Sequence, residues 1–127
     1  MLMRNVLLTL SLVATIVLSG CAVAVVAAGA GAGYVWVSGM LQETLSAPLP
    51  RVERATRAAL KDLELVGIHG RADKLKGKIK ARMADGTKVV IWLKAVDFEN
   101  TNVKIRVGNV GDKAISLQIL RHIKQRL

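Results

Sequence analysis

The sequence predicts an α+β fold: a two-layer sandwich in which a mostly antiparallel sheet carries two helices on one face, in the order β-α-β-β-β-β-α. Two segments, residues 48–63 and 112–127, repeat apolar residues at helical spacing. Several runs between residues 65 and 107 alternate apolar and polar residues, as strands with one buried face do. Because each predicted element has a single apolar face, helices and sheet are expected to cover each other.

The first twenty residues have the pattern of an export signal. Arg4 precedes an apolar stretch, residues 6–18, that is shorter than the ~20 residues of a membrane-spanning helix. The stretch ends in Leu18-Ser19-Gly20-Cys21, which resembles the lipobox of bacterial lipoproteins. The resemblance implies cleavage between Gly20 and Cys21, a diacylglyceryl thioether on the Cys21 thiol and an N-acyl chain on the new amine, with no other cofactor.

Residues 21–33 are predicted to be an acylated, Ala/Gly-rich tether to a single small basic domain, residues 34–127. Two alternatives stay open. The glycines of the tether could form a helix-packing motif, and an uncleaved anchor could run through residues 22–28, since no charged residue lies between Arg4 and Glu43. In a Gram-negative cell, Ala22 after the cysteine favours the periplasmic face of the outer membrane over the inner membrane.

The domain begins with a predicted strand, residues 34–45, that is interrupted near Gly39, and with a helix that Pro48 and Pro50 open. Strands follow at residues 65–71, 75–83, 87–96 and 102–107, and Asp112 is placed to cap the last helix. In the first strand, alternation places Val35, Val37, Leu41 and Leu45 on one side and Trp36, Ser38 and Gln42 on the other. The helix stripes comprise Val52, Ala55, Thr56, Ala59, Leu60 and Leu63, then Ile115, Ile119, Leu120, Ile123 and Leu127.

The register between strands follows from the loop that keeps cations out of the core. A two-residue loop of Asp85-Gly86 would place cations opposite apolar residues, so it is rejected. A three-residue loop of residues 84–86, with Gly86 left-handed in a bulge, restores the apolar pairing, and a loop at residues 98–100 follows by the same logic. These loops predict the pairs Met83 with Thr87, Ala81 with Val89, Ile79 with Ile91, Leu93 with Ile105 and Ala95 with Val103.

The opposite side of this sheet collects cations and is predicted to be an anion-binding face, with a merely solvated face as the alternative. Like charges directly opposite each other, as expected for Arg82 with Lys88 and for Lys94 with Lys104, destabilise a sheet unless an anionic partner offsets them. A central tryptophan is expected to stack on Arg106 or to enter a membrane interface. The predicted face comprises Lys76, Lys78, Lys80, Arg82, Lys88, Trp92, Lys94, Lys104 and Arg106, with Lys74 and Val90 beside them.

The formal net charge of +10 would ordinarily suggest a nucleic acid partner. Predicted export argues against one and leaves anionic lipid, lipopolysaccharide, an acidic wall polymer or an acidic envelope protein. No metal site or catalytic site is predicted. His69 and His122 have no further ligand at metal-site spacing, and Ser116 has no nucleophile-elbow pattern around it. The run at 108–112 is expected to be a tight connection, with an anion site at the helix N-terminus as the alternative.

Several segments of the chain, in order after the lipobox, resemble a family of small bacterial lipoproteins that contain a domain of unknown function. The family implies the fold and the location but no activity. We therefore expect a non-enzymatic, membrane-anchored envelope lipoprotein whose basic face docks on an anionic partner; the alternative is an accessory subunit of an envelope assembly. The resemblance is carried by Ala47-Pro48-Leu49, Ala59-Leu60-Lys61-Asp62-Leu63, Lys76-Gly77-Lys78-Ile79-Lys80-Ala81-Arg82, Ala84-Asp85-Gly86-Thr87, Arg106-Val107-Gly108 and Gly111-Asp112-Lys113.

Overall fold

A computed structural model describes residues 33–127 of the chain. The predicted signal peptide, the cleavage site at Gly20 and Cys21, and the tether up to residue 32 lie outside the described residues. The elements are β1 (Tyr34–Val37), β2 (Met40–Leu45), α1 (Leu49–Asp62), β3 (Val66–Ala72), β4 (Lys76–Arg82), β5 (Lys88–Ala95), β6 (Thr101–Val107) and α2 (Lys113–Gln125).

The six strands form one antiparallel sheet in the order β1-β2-β6-β5-β4-β3, and the two helices contact each other and the sheet. This arrangement confirms the predicted α+β fold. The apolar residues of the central strands fill the space between sheet and helices, with Ile79, Ile91 and Ile105 fully buried at the middle. Residues 34–127 form one compact unit that contains both helices, all six strands and the whole buried core of the described chain.

The first predicted strand is a hairpin of two strands rather than one interrupted strand. Ser38 and Gly39 both have positive φ, 51° and 76°, which is the geometry of a two-residue turn that joins antiparallel strands. The reversal pairs Val35 with Gln42, so the prediction that Val35 and Val37 share a side with Leu41 is wrong. The two valines are 57% and 55% exposed, whereas Trp36 packs against the core.

The turn between β4 and β5 forms as predicted. Gly86 has a φ of 89°, and the backbone N–H of Met83 donates to the carbonyl of Thr87 over 2.9 Å. The predicted pairs of Ala81 with Val89 and Ile79 with Ile91 are confirmed. The register that hides the apolar residues is therefore the one that the chain adopts.

The register between β5 and β6 differs from the prediction by two residues. Leu93 pairs with Val103 and Ala95 with Thr101, so the predicted pairs Leu93–Ile105 and Ala95–Val103 are wrong. The turn is centred one residue earlier than expected, since the Val96 N–H donates to the Asn100 carbonyl over 2.9 Å. The Asp97 carboxylate accepts the N–H groups of Glu99 and Asn100 within this turn, both over 2.8 Å. A shift of two residues leaves every side chain on its predicted face.

The helices begin and end close to the predicted positions. Asp112 is the N-cap of α2, where its side chain accepts the Ile115 N–H over 3.0 Å, while α1 starts at the two prolines without a side-chain cap. At their other ends the helices are joined by a salt bridge between Arg126 and Asp62. Within residues 33–127, neither helix has the length and apolar character needed to cross a membrane.

Candidate anion-binding face

The side of the sheet that faces away from the helices, called here the open face, carries nine cations on four adjacent strands. Every residue of the predicted anion-binding face lies on it. Lys74 does not, since it lies in the turn between β3 and β4. Arg71 of β3, which was not predicted to belong to the face, lies opposite Lys78. The cations are Arg71, Lys76, Lys78, Lys80, Arg82, Lys88, Lys94, Lys104 and Arg106.

The positions of these cations are fixed by their apolar neighbours along each strand. In β4 the exposed Lys78 and Lys80 flank Ile79, which is fully buried, and in β6 the half-buried Lys104 and Arg106 flank the fully buried Ile105. A strand cannot slip by one residue without exposing its buried set and burying its charges. The core therefore holds the cations in a fixed two-dimensional array.

No cation of the open face takes part in an ion pair among residues 33–127. The salt bridges of the described chain lie elsewhere, between Arg57 and Glu53, Lys124 and Glu43, and Arg126 and Asp62. No strand residue on the open face carries a carboxylate. The face therefore has a net positive charge that the described part of the protein does not neutralise.

Three cross-strand pairs bring like charges directly opposite each other. Arg82 lies opposite Lys88, as predicted, Lys76 lies opposite Lys94, and Arg71 lies opposite Lys78. The predicted pair of Lys94 with Lys104 is wrong, because the shifted register places Asn102 opposite Lys94. Like charges in this position destabilise a sheet by a few tenths of a kcal/mol to about 1 kcal/mol, so the face weakens the fold unless anions bind to it.

Trp92 lies near the centre of the open face and is half-buried. The Lys78 Nζ lies 5.6 Å from the centroid of the indole ring, a cation–π contact. The cation–π contact is thus made by Lys78 and not by the expected Arg106, and Trp92 has Lys78 opposite it on one side and Lys104 on the other. A single row across the sheet thus brings together Arg71, Lys78, Trp92 and Lys104.

Arg106 is held in place by the turn that follows its own strand, β6. Its Nη2 donates to the carbonyl of Asn109 over 2.7 Å, which orients the guanidinium group. Its Nε is buried and has no hydrogen-bond partner. A buried donor without a partner costs stability, which an acceptor reaching the guanidinium edge would recover.

The open face is concave rather than flat. A depression of about 1140 Å³ lies across it, with Trp92 in its lining and Lys76, Lys78, Lys94, Lys104 and Arg106 among the surrounding side chains. Such a surface combines an aromatic ring, the aliphatic stems of lysine and several positive groups. It can bind phosphate or carboxylate groups through charge-assisted hydrogen bonds and can cover the apolar part of the same ligand.

A family model described as "Protein of unknown function (DUF3568)" matches residues 2–126 of this sequence. The chain belongs to the DUF3568 family. The match spans nearly the whole chain, including the predicted export signal, and it confirms the predicted resemblance to a family of unknown function. No curated protein matches the sequence.

Membership of DUF3568 brings no catalytic residues, so any chemistry must be sought among the described side chains. The carboxylates of Asp73, Asp85 and Asp97 accept hydrogen bonds inside turns, and these bonds lower the pKa of each carboxyl group from its ordinary value. Within residues 33–127 no group of three histidine, cysteine or acidic residues could hold a metal ion. The His69 Nδ1 lies 2.7 Å from the Gly67 carbonyl, as in a local turn contact.

Three side-chain hydroxyl groups are buried in the core, on α1, β6 and α2. Thr56 donates to the Val52 carbonyl one turn earlier, over 2.7 Å, and Thr101 donates to the Ala47 carbonyl over 2.8 Å. Ser116 is buried in α2 without a partner for its hydroxyl, and no histidine is hydrogen-bonded to it. The open face is thus the part of the described chain with the strongest features of a binding site.

Proposed function

We propose that this DUF3568 protein is a membrane-anchored, non-enzymatic lipoprotein of the bacterial envelope that binds an anionic partner through its open face. The observation that carries the proposal is the face itself: nine cations on adjacent strands, with no carboxylate among the strand residues of the face and no ion pair to these cations among residues 33–127. The partner would bear phosphate or carboxylate groups, as anionic lipids, lipopolysaccharide, wall polymers and acidic envelope proteins do.

The anchor in this proposal is Cys21. Residues 1–20 would be removed, and the acylated Cys21 would carry the domain on residues 21–33, at the periplasmic face of the outer membrane. Two or more acyl chains give stable attachment where one is marginal, at ~0.8 kcal/mol per buried methylene. Mass spectrometry of the membrane-purified protein tests this: an acylated cysteine at the mature N-terminus is expected, and a Cys21→Ser chain should remain unprocessed. A full-length chain without acyl groups would contradict the proposal.

Binding to an anionic surface would be strong at low salt and weak at high salt. Each cation near such a surface contributes about 1 kcal/mol, so four or five engaged side chains of the open face would contribute several kcal/mol. Screening shortens the reach of these charges to about 8 Å at physiological ionic strength. A steep salt dependence is therefore the signature of the proposed mode.

Co-sedimentation of residues 33–127 with vesicles tests the face. Lys78→Glu with Lys104→Glu should abolish binding to anionic vesicles and to lipopolysaccharide at low salt, because it places two negative charges beside Trp92. Arg54→Glu with Arg121→Glu is the matched control, since it makes the same charge change on exposed helix positions that form no ion pair in the described chain. Equal loss in both variants would indicate a response to net charge and would contradict a role for the open face.

A second candidate function, a subunit of an envelope assembly, is supported by one observation. Among residues 33–127 the edge strand β1 pairs with β2 alone, and it exposes Val35 and Val37 on the open face. Such an edge can accept a strand from another protein. Val35→Lys with Val37→Lys should release a co-purifying partner in this case, while the anion binding of the open face would persist.

A further inference from the structure

The chain that precedes the domain enters the sheet at one of its two ends. Tyr34, the first residue of β1, pairs with Glu43 near the end of β2, and the end of β2 pairs with the start of β6. The start of β6 in turn pairs with the end of β5. The turn at residues 73–75 and the loop at residues 96–100 therefore lie at the end of the sheet where the chain enters, called here the anchor end.

Three large apolar side chains are exposed at the anchor end, on two neighbouring loops. Leu75 is 73% exposed, Val96 is 60% exposed, and Phe98, the only phenylalanine of the chain, is 97% exposed. The loops touch, because the Ala95 N–H donates to the Leu75 carbonyl over 2.8 Å. Single exposed apolar residues are common on proteins, but three on adjacent loop tips form a patch that gains from leaving water.

Both loops are built to hold these side chains outward. Asp73 accepts the N–H groups of Leu75 and Lys76 over 2.7 Å and 2.9 Å, and Asp97 accepts two N–H groups of its own loop. The hydrogen bonds reduce the conformational freedom of the tips, which lowers the cost of placing them in another medium.

The reach of the preceding chain agrees with a membrane at this end. The distance from β1 to β5 is three strand spacings, about 14 Å. The thirteen residues from Cys21 to Gly33 can extend over about 40 Å. An anchor attached at Cys21 therefore allows the anchor end of the sheet to touch the bilayer that holds it.

We propose that Leu75, Val96 and Phe98 insert into the bilayer that holds the Cys21 anchor, so that the sheet stands end-on to the membrane. The inference rests on the anchoring at Cys21 proposed above. Lys74, Lys76 and Lys94 are then at the level of the lipid headgroups, while the tips reach the acyl boundary, as in interfacial membrane contacts. The rest of the open face is directed sideways, where an anionic partner can reach it while the domain stays anchored.

The anchor end carries acidic as well as basic side chains, unlike the strands of the open face. Asp73, Asp97 and Glu99 lie close in sequence to the three lysines and balance them in number. The contact would therefore depend on apolar insertion and would persist at high salt, whereas binding to the open face would not. This difference allows the two contacts to be measured separately in one protein.

The test uses the full chain, purified from membranes and reconstituted into vesicles that contain lipids brominated on the acyl chains. Cys21 is the only cysteine, and acylation blocks its thiol, so Phe98→Cys and Val110→Cys each add one site for an environment-sensitive label. Val110 is the matched control, since it is 86% exposed and lies at the opposite end of the sheet, beside Gly39. A third chain, Trp36→Phe, leaves Trp92 as the only tryptophan and reports on the open face.

The proposal expects a blue-shifted label at position 98 that brominated lipid quenches, in anionic and zwitterionic vesicles alike, and an unquenched label at position 110. Leu75→Ser in the labelled chain should lower the insertion constant, read from the quenched fraction, about tenfold. Quenching of Trp92 with an unquenched label at position 98 would show that the open face lies flat on the bilayer and would overturn the end-on orientation. A parent chain that takes up label has a free Cys21 thiol, which overturns the anchor itself.

Discussion

The two sides of the sheet are built from the same strands and yet have opposite roles in the energetics. Ile91 is fully buried under the helices, while its neighbours Val90 and Trp92 lie on the open face. Burial of the apolar side drives folding, at roughly 25 cal/mol per Å² of apolar surface removed from water. The open face opposes folding, because its like charges repel. Apolar burial on the core side therefore offsets the repulsion between the cations on the open face.

Truncation of a side chain on each side gives the largest predicted difference. Ile91→Ala should lower the free energy of unfolding by about 2–5 kcal/mol, since it leaves a cavity in the packed core. Val90→Ala, one residue away, should change it by less than about 1 kcal/mol, because Val90 is half-exposed among lysine stems. Urea unfolding followed by circular dichroism measures both variants. Similar losses would show that the open face is packed against something.

A smaller effect is expected when a buried hydrogen bond at the edge of the core is removed. Thr101 is fully buried, and its Oγ1 donates to the Ala47 carbonyl, which ties β6 to the segment before α1. Thr101→Val should cost about 1–3 kcal/mol, because the carbonyl loses its partner away from water. The control is Asn102→Ala on the other side, where Nδ2 donates to Thr44 Oγ1 over 3.2 Å in an exposed setting. That variant should stay within about 0.5 kcal/mol of the parent.

Most of the difference between the two sides could be predicted from the sequence, for a geometric reason. In β4 a cation occurs at every even position and an apolar or small residue at every odd one, and only one register places all the apolar residues together. Even the wrong register of β5 with β6 left the faces correct, because it erred by two residues and side chains alternate with a period of two. The nine predicted face residues therefore lie where the sequence places them.

What the sequence did not reveal depends on turns and bulges. Ser38-Gly39 is a dipeptide typical of turns, yet a serine at positive φ is uncommon, and the reversal there changes the side on which Val35 and Val37 lie. Arg71 was left out because no register was predicted between β3 and β4, and that register shifts between Val66 and His69. The exposed tips at residues 75 and 98 are not predicted by any periodic pattern, since loops have none.

Reversing one charge of a like pair should stabilise the protein slightly. Arg82→Glu places a carboxylate opposite Lys88 and should raise the free energy of unfolding by about 0.2–1 kcal/mol at low salt. Arg121→Glu, on the exposed side of α2, is the control and should give no such gain. Thermal unfolding at low and high salt measures the effect, which screening should reduce. A gain that is equal in both variants would indicate net charge as the cause, and a loss in Arg82→Glu would contradict the repulsion.

The smallest expected effect is on stability at low pH, and it comes from carboxylates in the turns, which lie on neither side of the sheet. Hydrogen bonds lower the pKa of three turn carboxyl groups below the ordinary value of 3.8. Backbone N–H groups do so for Asp73, whereas for Asp85 and Asp97 the side chains of Thr87 and Asn100 have the largest effect and backbone N–H groups add to it. A lowered pKa means that the unfolded chain binds protons more readily, so these turns stabilise the fold fully above pH 3.8 and lose that contribution as the pH falls through the folded values. Asp97→Ala should therefore be less stable than the parent at neutral pH and should lose less stability on acidification. A parent chain and a variant whose melting temperatures fall in parallel below pH 3.8 would show that the loop of residues 96–100 does not depend on its carboxylate.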